Sequence, residues 1–447
     1  MAPPTAVEAE KQSECLGFKK KDSNRCWSEG PTRPPIEKQE GTDKNFPWRT
    51  WPWRILGDRL TWWLGVLLLA IPGPFMGILI GSGELSMAIL KVLWRVSQLW
   101  RFVPDLVRSA TEWVGARVLR DPRDAPFVPH MLWLSLYIPS LFAFTAYQHS
   151  INGFSWTMFF LYHFLRIGPR FRFFAHLHVL VHREGHDHQG VFRGFFRVFN
   201  YWPMQWLVGP FFGQVPNSYG IAHNKIHHRY DNGLDDVHTN LDLDRSQFTS
   251  FIIYVPRFFL YWIGVSPLAH FILRKEWRLA RKMFLGMLYH TALFTTFFLW
   301  NPTFAIAYLG FPIMEAVIFF AGISYMWHCF VDENDPYNPY VSSVTILKGQ
   351  DNIWNEDFHV VHHDALSVHW SLAPKHFEEH RDMYAKYHAT IFEDTEEGAL
   401  LFWMLSGNWD ELAKHFVDLN GKMTVEEKKQ LLLARARFVI RPADKSQ

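Results

Sequence analysis

Four apolar stretches, with histidine-rich polar segments beyond and between them, leave this chain few ways to fold. Residues 130–148, 153–174, 283–300 and 303–326 are dense in Phe, Leu and Trp and sparse in charge. Each comes close to the roughly 20 residues a helix needs to cross a bilayer. Backbone amides find no water inside the hydrocarbon, so segments of this kind are expected as helices. Residues 150–153 join the first two and Asn301-Pro302 joins the second two, which makes each pair a helical hairpin.

Outside these stretches lie three histidine clusters: His182-Arg183-Glu184-Gly185-His186, His223-Asn224-Lys225-Ile226-His227-His228 and His359-Val360-Val361-His362-His363. Residues three or four apart share one helix face, so the spacing predicts that each cluster aims its imidazoles at one point. Neutral imidazole suits zinc, copper, iron or nickel. Eight histidines exceed what one ion can use, and no Cys-x-x-Cys pattern supplies thiolates, so two metals are expected rather than one.

Hydrophobic residues make up 49% of the 447, with 21 Trp and 40 Phe, yet mean hydropathy is near zero. Polar caps must therefore dilute the apolar segments, as in a membrane protein with aqueous parts. A formal net charge of +2 and the lack of a basic stripe argue against nucleic acid. Cys15, Cys26 and Cys329 have no disulfide-framework spacing, which points to a site facing the cytosol.

Residues 1–55 are polar, with Lys19, Lys20 and Lys21 in a row, and read as a disordered tail. No signal peptide is visible, and Glu8, Glu10 and Glu14 weigh against an acid-poor plastid transit peptide, so the endoplasmic reticulum membrane is the expected location. Residues 56–125 read as an N-terminal membrane-associated segment. In it Pro72-Gly73-Pro74 makes 60–80 either a kinked span or a re-entrant hairpin, while 92–120 resembles an interfacial amphipathic helix. Residues 248–272 read as a second interfacial helix, limited by Pro256 and Pro267. Residues 376–447 turn polar and read as a cytosolic helical cap, with Thr424 and Glu427 spaced as a capping box.

Arg166, Arg170 and Arg172 mark the cytosolic end of the second apolar stretch. The 36 residues between His186 and His223 are too few and too interrupted by Pro203, Gly209 and Pro210 to cross twice. The 130 residues between His228 and His359 hold two crossings, which return the chain to the same face. The expected fold is therefore an all-α integral membrane protein of roughly four transmembrane helices, with interfacial helices and a cytosolic cap around a histidine-rich two-metal site.

The order HxxxH, HxxxHH, HxxHH, with two spans before the third box, resembles the membrane fatty-acid desaturase superfamily over residues 126–375. Arg229-Tyr230, Thr239-Asn240 and the segment 355–364 add to the likeness. The sterol desaturase and fatty-acid hydroxylase group has similar boxes, but its first two sit closer together. The resemblance implies two irons (Fe2+) in an almost all-histidine shell and a ninth histidine at the end of the span before the third box, where His328 stands. The implied ligands are His182, His186, His223, His227, His228, His328, His359, His362 and His363. His178, His188 and His270 compete for places in that set, and His176 also lies near the first box.

Glu184, Asp187, Asp236, Asp357 and Asp364 are candidate acceptors for the outer ring nitrogens. The resemblance further implies O2 as co-substrate, a lipid or acyl substrate, and electrons from a separate cytochrome b5 or ferredoxin. Desaturation of an acyl chain is the first expectation. Hydroxylation of a lipid, sterol, sphingoid or carotenoid on the same site is the second. A membrane metal transporter or sensor is the reading from outside enzymology, although transport sites lie near the bilayer midplane rather than in caps.

Overall fold

The structure, a computed structural model, describes residues 52–70, 72–75, 77, 102–187 and 190–440. The expected tail falls almost wholly outside them, as do Cys15, Cys26 and His188; of the 60–80 and 92–120 segments only parts are described.

Among the described residues, three helices are long and apolar enough to cross a membrane: Phe127–Asn152, Trp277–Trp300 and the continuous run Pro302–Trp327. Phe248–Trp262 and Val265–Leu273, bent by 69°, make a fourth if taken as one broken span. The chain is an integral membrane protein whose described residues are mainly helical, with almost no strand.

Two stretches differ from the sequence reading. The apolar run 153–174 is not one helix: Trp156–Ile167 has 12 residues, about 18 Å of rise and too short to cross alone. Gly168 at φ 77° followed by Pro169 breaks it before Arg172–His186 begins. The run 248–272 is likewise broken, not at its prolines but at Gly264. Pro256 lies inside the first helix and Pro267 in the first turn of the second, where a missing N–H costs nothing. Gly264 sits at φ 87°, and a Cβ there would fall 2.6 Å from Met283 Cε.

The described chain divides into two compact units. One comprises the described residues of 63–226 and 258–319 and is rich in spans; the other comprises the described residues of 52–62, 227–257 and 320–440 and holds the C-terminal region.

In the span-rich unit, Phe142 packs between Phe211, Phe297 and Phe304, with ring centroids 4.5, 5.0 and 5.3 Å away. Such offset and edge contacts favour one arrangement of the helices beyond the burial they provide. Gly286 permits the closest approach, since a Cβ there would lie 2.0 Å from the Pro216 carbonyl oxygen. The outward side chains are apolar too: Leu136 is 70% exposed and Leu299 80%, which suits contact with lipid rather than water. Deep in the same unit, Arg166 donates to the Glu315 carboxylate, with both side chains fully buried. His163 Nε2 meets the Ala307 carbonyl at 3.0 Å, in the π-helical turn Ile306–Gly310.

In the C-terminal unit, buried Arg245 organises the chain by donating to main-chain carbonyls of Cys329 (2.7 Å), Leu243 (2.9 Å), Arg435 (3.1 Å), Asn240 (3.2 Å) and Phe438. It thereby ties the segment after the second histidine box to the end of the last helix, Val425–Arg437, whose start carries the capping box of Thr424 and Glu427. Arg257 grips Asp242 with two nitrogens, at 2.6 and 3.0 Å. Two short parallel strands, β1 (Thr345–Leu347) and β2 (Ile391–Glu393), pair in register Thr345 to Ile391; β1 leads into the third histidine box.

Candidate metal centre

In the span-rich unit the first box ends the helix Arg172–His186, so His182 and His186 stand one turn apart, with their Nε2 atoms 3.1 Å from each other. The π-helix Ser218–His227 brings His223 to them, its Nε2 2.8 Å from that of His182. Two glycines let these helices meet: a Cβ on Gly185 would lie 3.0 Å from the Gly220 nitrogen. The Asn224 amide fixes the approach by donating to the Gly185 carbonyl at 2.6 Å. The three rings lie 4.6–5.3 Å apart, and their ligand nitrogens fall within 4.8 Å of one another.

In the C-terminal unit a second group forms from His227, His328 and His363, again with ligand nitrogens within 4.8 Å. All three are buried, and each has its Nδ1 side engaged. His227 Nδ1 contacts Asp236 Oδ2 at 2.7 Å, His328 Nδ1 the Ser342 carbonyl at 2.9 Å, and His363 Nδ1 Asp231 Oδ1 at 3.2 Å. An Nδ1–H donated outward leaves Nε2 with its lone pair free for a metal. Burial, with the charges of His227 and His363 beside it, pushes the His328 pKa well below the ordinary imidazole range, which keeps the ring neutral. The short helix His359–Asp364 supplies the third box: His359 Nε2 lies 3.4 Å from His328 Nε2, and the His362 ring 4.5 Å from that of His228.

Two groups of converging imidazoles, with no thiolate among them, fit borderline metals such as iron, zinc or copper. They also correct the expectation that each box aims at one point. The second box is divided: His223 meets the first box, whereas His227 groups with His328 and His363.

All nine histidines fall within residues 154–395, the stretch matched by the family model described as fatty acid desaturase. The chain belongs to the fatty acid desaturase family. No curated protein and no solved structure matches it. Membership makes it a member of a membrane oxidoreductase group, desaturases and hydroxylases, that works on lipids and is typically metal-dependent.

Among the acidic neighbours of this desaturase-family site, Asp236 meets the expectation directly. Its two oxygens face His227 Nδ1 at 2.7 Å and His238 Nδ1 at 2.9 Å. Burial would raise its pKa, but the two histidines hold it well below the usual carboxylate range. Glu184 instead accepts the Tyr201 amide at 2.5 Å, and burial pushes its pKa up to about 8. Asp187 pairs with Arg120 at 2.8 Å, and Asp364 accepts from the Tyr340 hydroxyl at 3.4 Å.

Sequence reasoning missed Asp231 and His238. Asp231 directly follows Tyr230 in left-handed conformation (φ 46°), and a carboxylate one turn past His227 was the signal for it. His238, two residues after Asp236, makes with it and His227 a further group able to hold a metal.

The competing histidines sit elsewhere. His178 lies in an aromatic pocket, 4.5 Å from the Phe174 ring and 5.6 Å from that of Trp262, and His270 lies against Phe271. His176 stacks on His130 at 4.3 Å. Among the described residues, none of the three belongs to a cluster able to hold a metal.

Proposed function

We propose that this protein is a membrane di-iron oxidoreductase that desaturates the acyl chain of a lipid, using O2 and two external electrons. The observation that carries the reading is the trio His227, His328 and His363, each with Nδ1 turned to an oxygen acceptor. Imidazoles so oriented present Nε2 to a metal without having to reorganise.

His182, His186, His223, His227, His228, His328, His359, His362 and His363 would hold the two irons. Bound iron supplies activation of O2 and removal of hydrogen from an unactivated C–H bond. The overall change takes two hydrogens from adjacent methylenes and, with O2, two electrons and two protons, yields an alkene and two waters. The same shell that adds one oxygen to the substrate would give an alcohol and one water.

The protein's part is to hold and to exclude. Asp236, Asp231 and the Ser342 carbonyl keep three imidazoles in the metal-binding tautomer. Burial of His359, His363 and His328 keeps bulk water from the reacting region. The electrons would come from a separate cytochrome b5 or ferredoxin, and the metal face would look to the cytosol from the endoplasmic reticulum membrane.

The test is iron content and the lipid profile of cells expressing the wild type and His362→Ala. About two irons per chain and a new unsaturated product, both diminished in the variant, are the expected result. A new hydroxylated product would assign the chemistry to the alcohol-forming branch. Another metal with an unchanged lipid profile would overturn the proposal.

A further inference from the structure

A second group of oxygen donors lies at the C-terminal ends of the two parallel strands, apart from the histidines. β1 runs into Lys348-Gly349-Gln350-Asp351, and β2 into Asp394-Thr395-Glu396-Glu397; because the strands are parallel, both loops leave on the same side. The Asp394 amide donates to the Leu347 carbonyl at 3.1 Å and holds them together.

Three oxygens converge on the face of Gly349 where any other residue carries its Cβ. A Cβ placed there would meet Asp357 Oδ2 at 2.5 Å, and Glu396 Oε2 and the Thr395 carbonyl oxygen at 3.5 Å each. No positive φ requires glycine at this position, so the reason for it is space rather than backbone conformation.

Asp357 is 2% exposed, and its Oδ2, aimed into this cradle, has no hydrogen-bond partner. The Thr395 hydroxyl is likewise buried without one. Lys348, the basic residue of the loop, points elsewhere, to Glu393 at 2.8 Å and Asp394 at 3.8 Å. Burial and its carboxylate neighbours push Glu397 up to about 7. A buried carboxylate oxygen facing other oxygens is costly unless a cation or a shared proton joins them.

We propose that this cradle is a divalent-cation site of the kind that takes Ca2+, built by Asp357, Glu396 and the Thr395 carbonyl around Gly349. The donors are all oxygen, carboxylate and main-chain carbonyl, and come from separate loops. That favours the larger ion with its irregular shell of about 6–8 oxygens over Mg2+, which demands a near-ideal octahedron. An ion there clamps the two strand ends and steadies the loop that delivers the helix His359–Asp364. The site does not depend on the proposed oxidase chemistry.

The test uses the full-length protein in detergent, titrated with Ca2+ alone, followed by calorimetry and by thermal unfolding. Saturable binding with a raised unfolding midpoint is expected. Gly349→Ala puts a methyl group against Asp357 Oδ2, and Glu396→Gln removes a charge and keeps one acceptor oxygen, enough for the Gln350 amide but not also for that of Asp351. Each should weaken Ca2+ binding by at least about tenfold, with iron content and the unliganded circular-dichroism spectrum unchanged. Glu396→Gln carries the test should the alanine variant fail to fold. No binding by the wild type at about 10 mM Ca2+ would overturn the site and leave shared protons as the way these carboxylates coexist. Undiminished binding in both variants would place the ion elsewhere and overturn it equally.

Discussion

Asp236 offers the sharpest test of how the histidine shell is held. Its carboxylate is buried and ionised, an acceptor only, with one oxygen 2.7 Å from His227 Nδ1 and the other 2.9 Å from His238 Nδ1. Both rings are thereby driven to carry their proton on Nδ1, and Nε2 of His227 is left as a ligand. Removing such an outer partner costs about 10–100-fold in metal affinity, or about 1.4–2.7 kcal/mol. Serving two imidazoles at once should put Asp236 at the upper end.

Asp236→Asn is the informative change because it preserves shape. The amide offers one acceptor oxygen and one NH2, and the NH2 cannot receive a proton from an imidazole. One of the two rings must rotate or move its proton to Nε2. Where that ring is His227, the nitrogen that should bind metal is then blocked. The asparagine variant should therefore lose iron almost as readily as Asp236→Ala, although it packs better. Asp231→Asn, acting on His363 across 3.2 Å, should lose less.

The assay is iron retained by detergent-solubilised protein against rising concentrations of a ferrous chelator, with thermal unfolding as the control for folding. A wild-type chelator midpoint for Asp236→Asn, at an unchanged unfolding midpoint, would refute the claim that the carboxylate sets the tautomer.

Three further outcomes follow from the structure. His328→Ala should remove iron whereas His270→Ala should leave it, as read by metal analysis, because only His328 has its Nε2 among other histidines. Arg245→Met should destabilise the C-terminal unit by about 3–5 kcal/mol, since several buried carbonyls lose their donor at once; hydrogen exchange at 329–331 and 435–438 should rise first. Glu184, with its pKa raised from 4.5 to about 8, binds a proton more tightly folded than unfolded. It favours the folded state fully below pH 4.5, and that contribution is lost as pH rises through about 8. Glu184→Gln, which still accepts the Tyr201 amide, should flatten this part of the pH–stability curve in thermal melts.

Much of the architecture was legible because the bilayer constrains it so strongly. The runs around 130–148, 283–300 and 303–326 became the helices Phe127–Asn152, Trp277–Trp300 and Pro302–Trp327. Apolar length alone fixes such elements. The run 153–174 passed the same test of composition yet breaks at Gly168-Pro169, where local backbone chemistry outweighs hydropathy. The strands β1 and β2 could not be seen, because three residues are too few to show an alternating pattern.

The histidines divide on the same line between what spacing can and cannot convey. Intervals of three and four guarantee a shared face only in an α-helix, and the first box, His182 to His186, obeys that rule. His223 and His227 of the second box lie on the π-helix Ser218–His227, whose i→i+5 bonding widens the turn and rephases its side chains, and His228 opens the next short helix, His228–Tyr230. So His223 turns to the first box while His228, five residues on, lies beside His362 and His363 of the third. On this helix His223 faces the first box, while His227 groups with His328 and His363. π-Helical turns are frequent at functional sites. The cluster of His223, His227 and His228 marked these residues as ligand material, but only the turn that carries them decides which group each one joins.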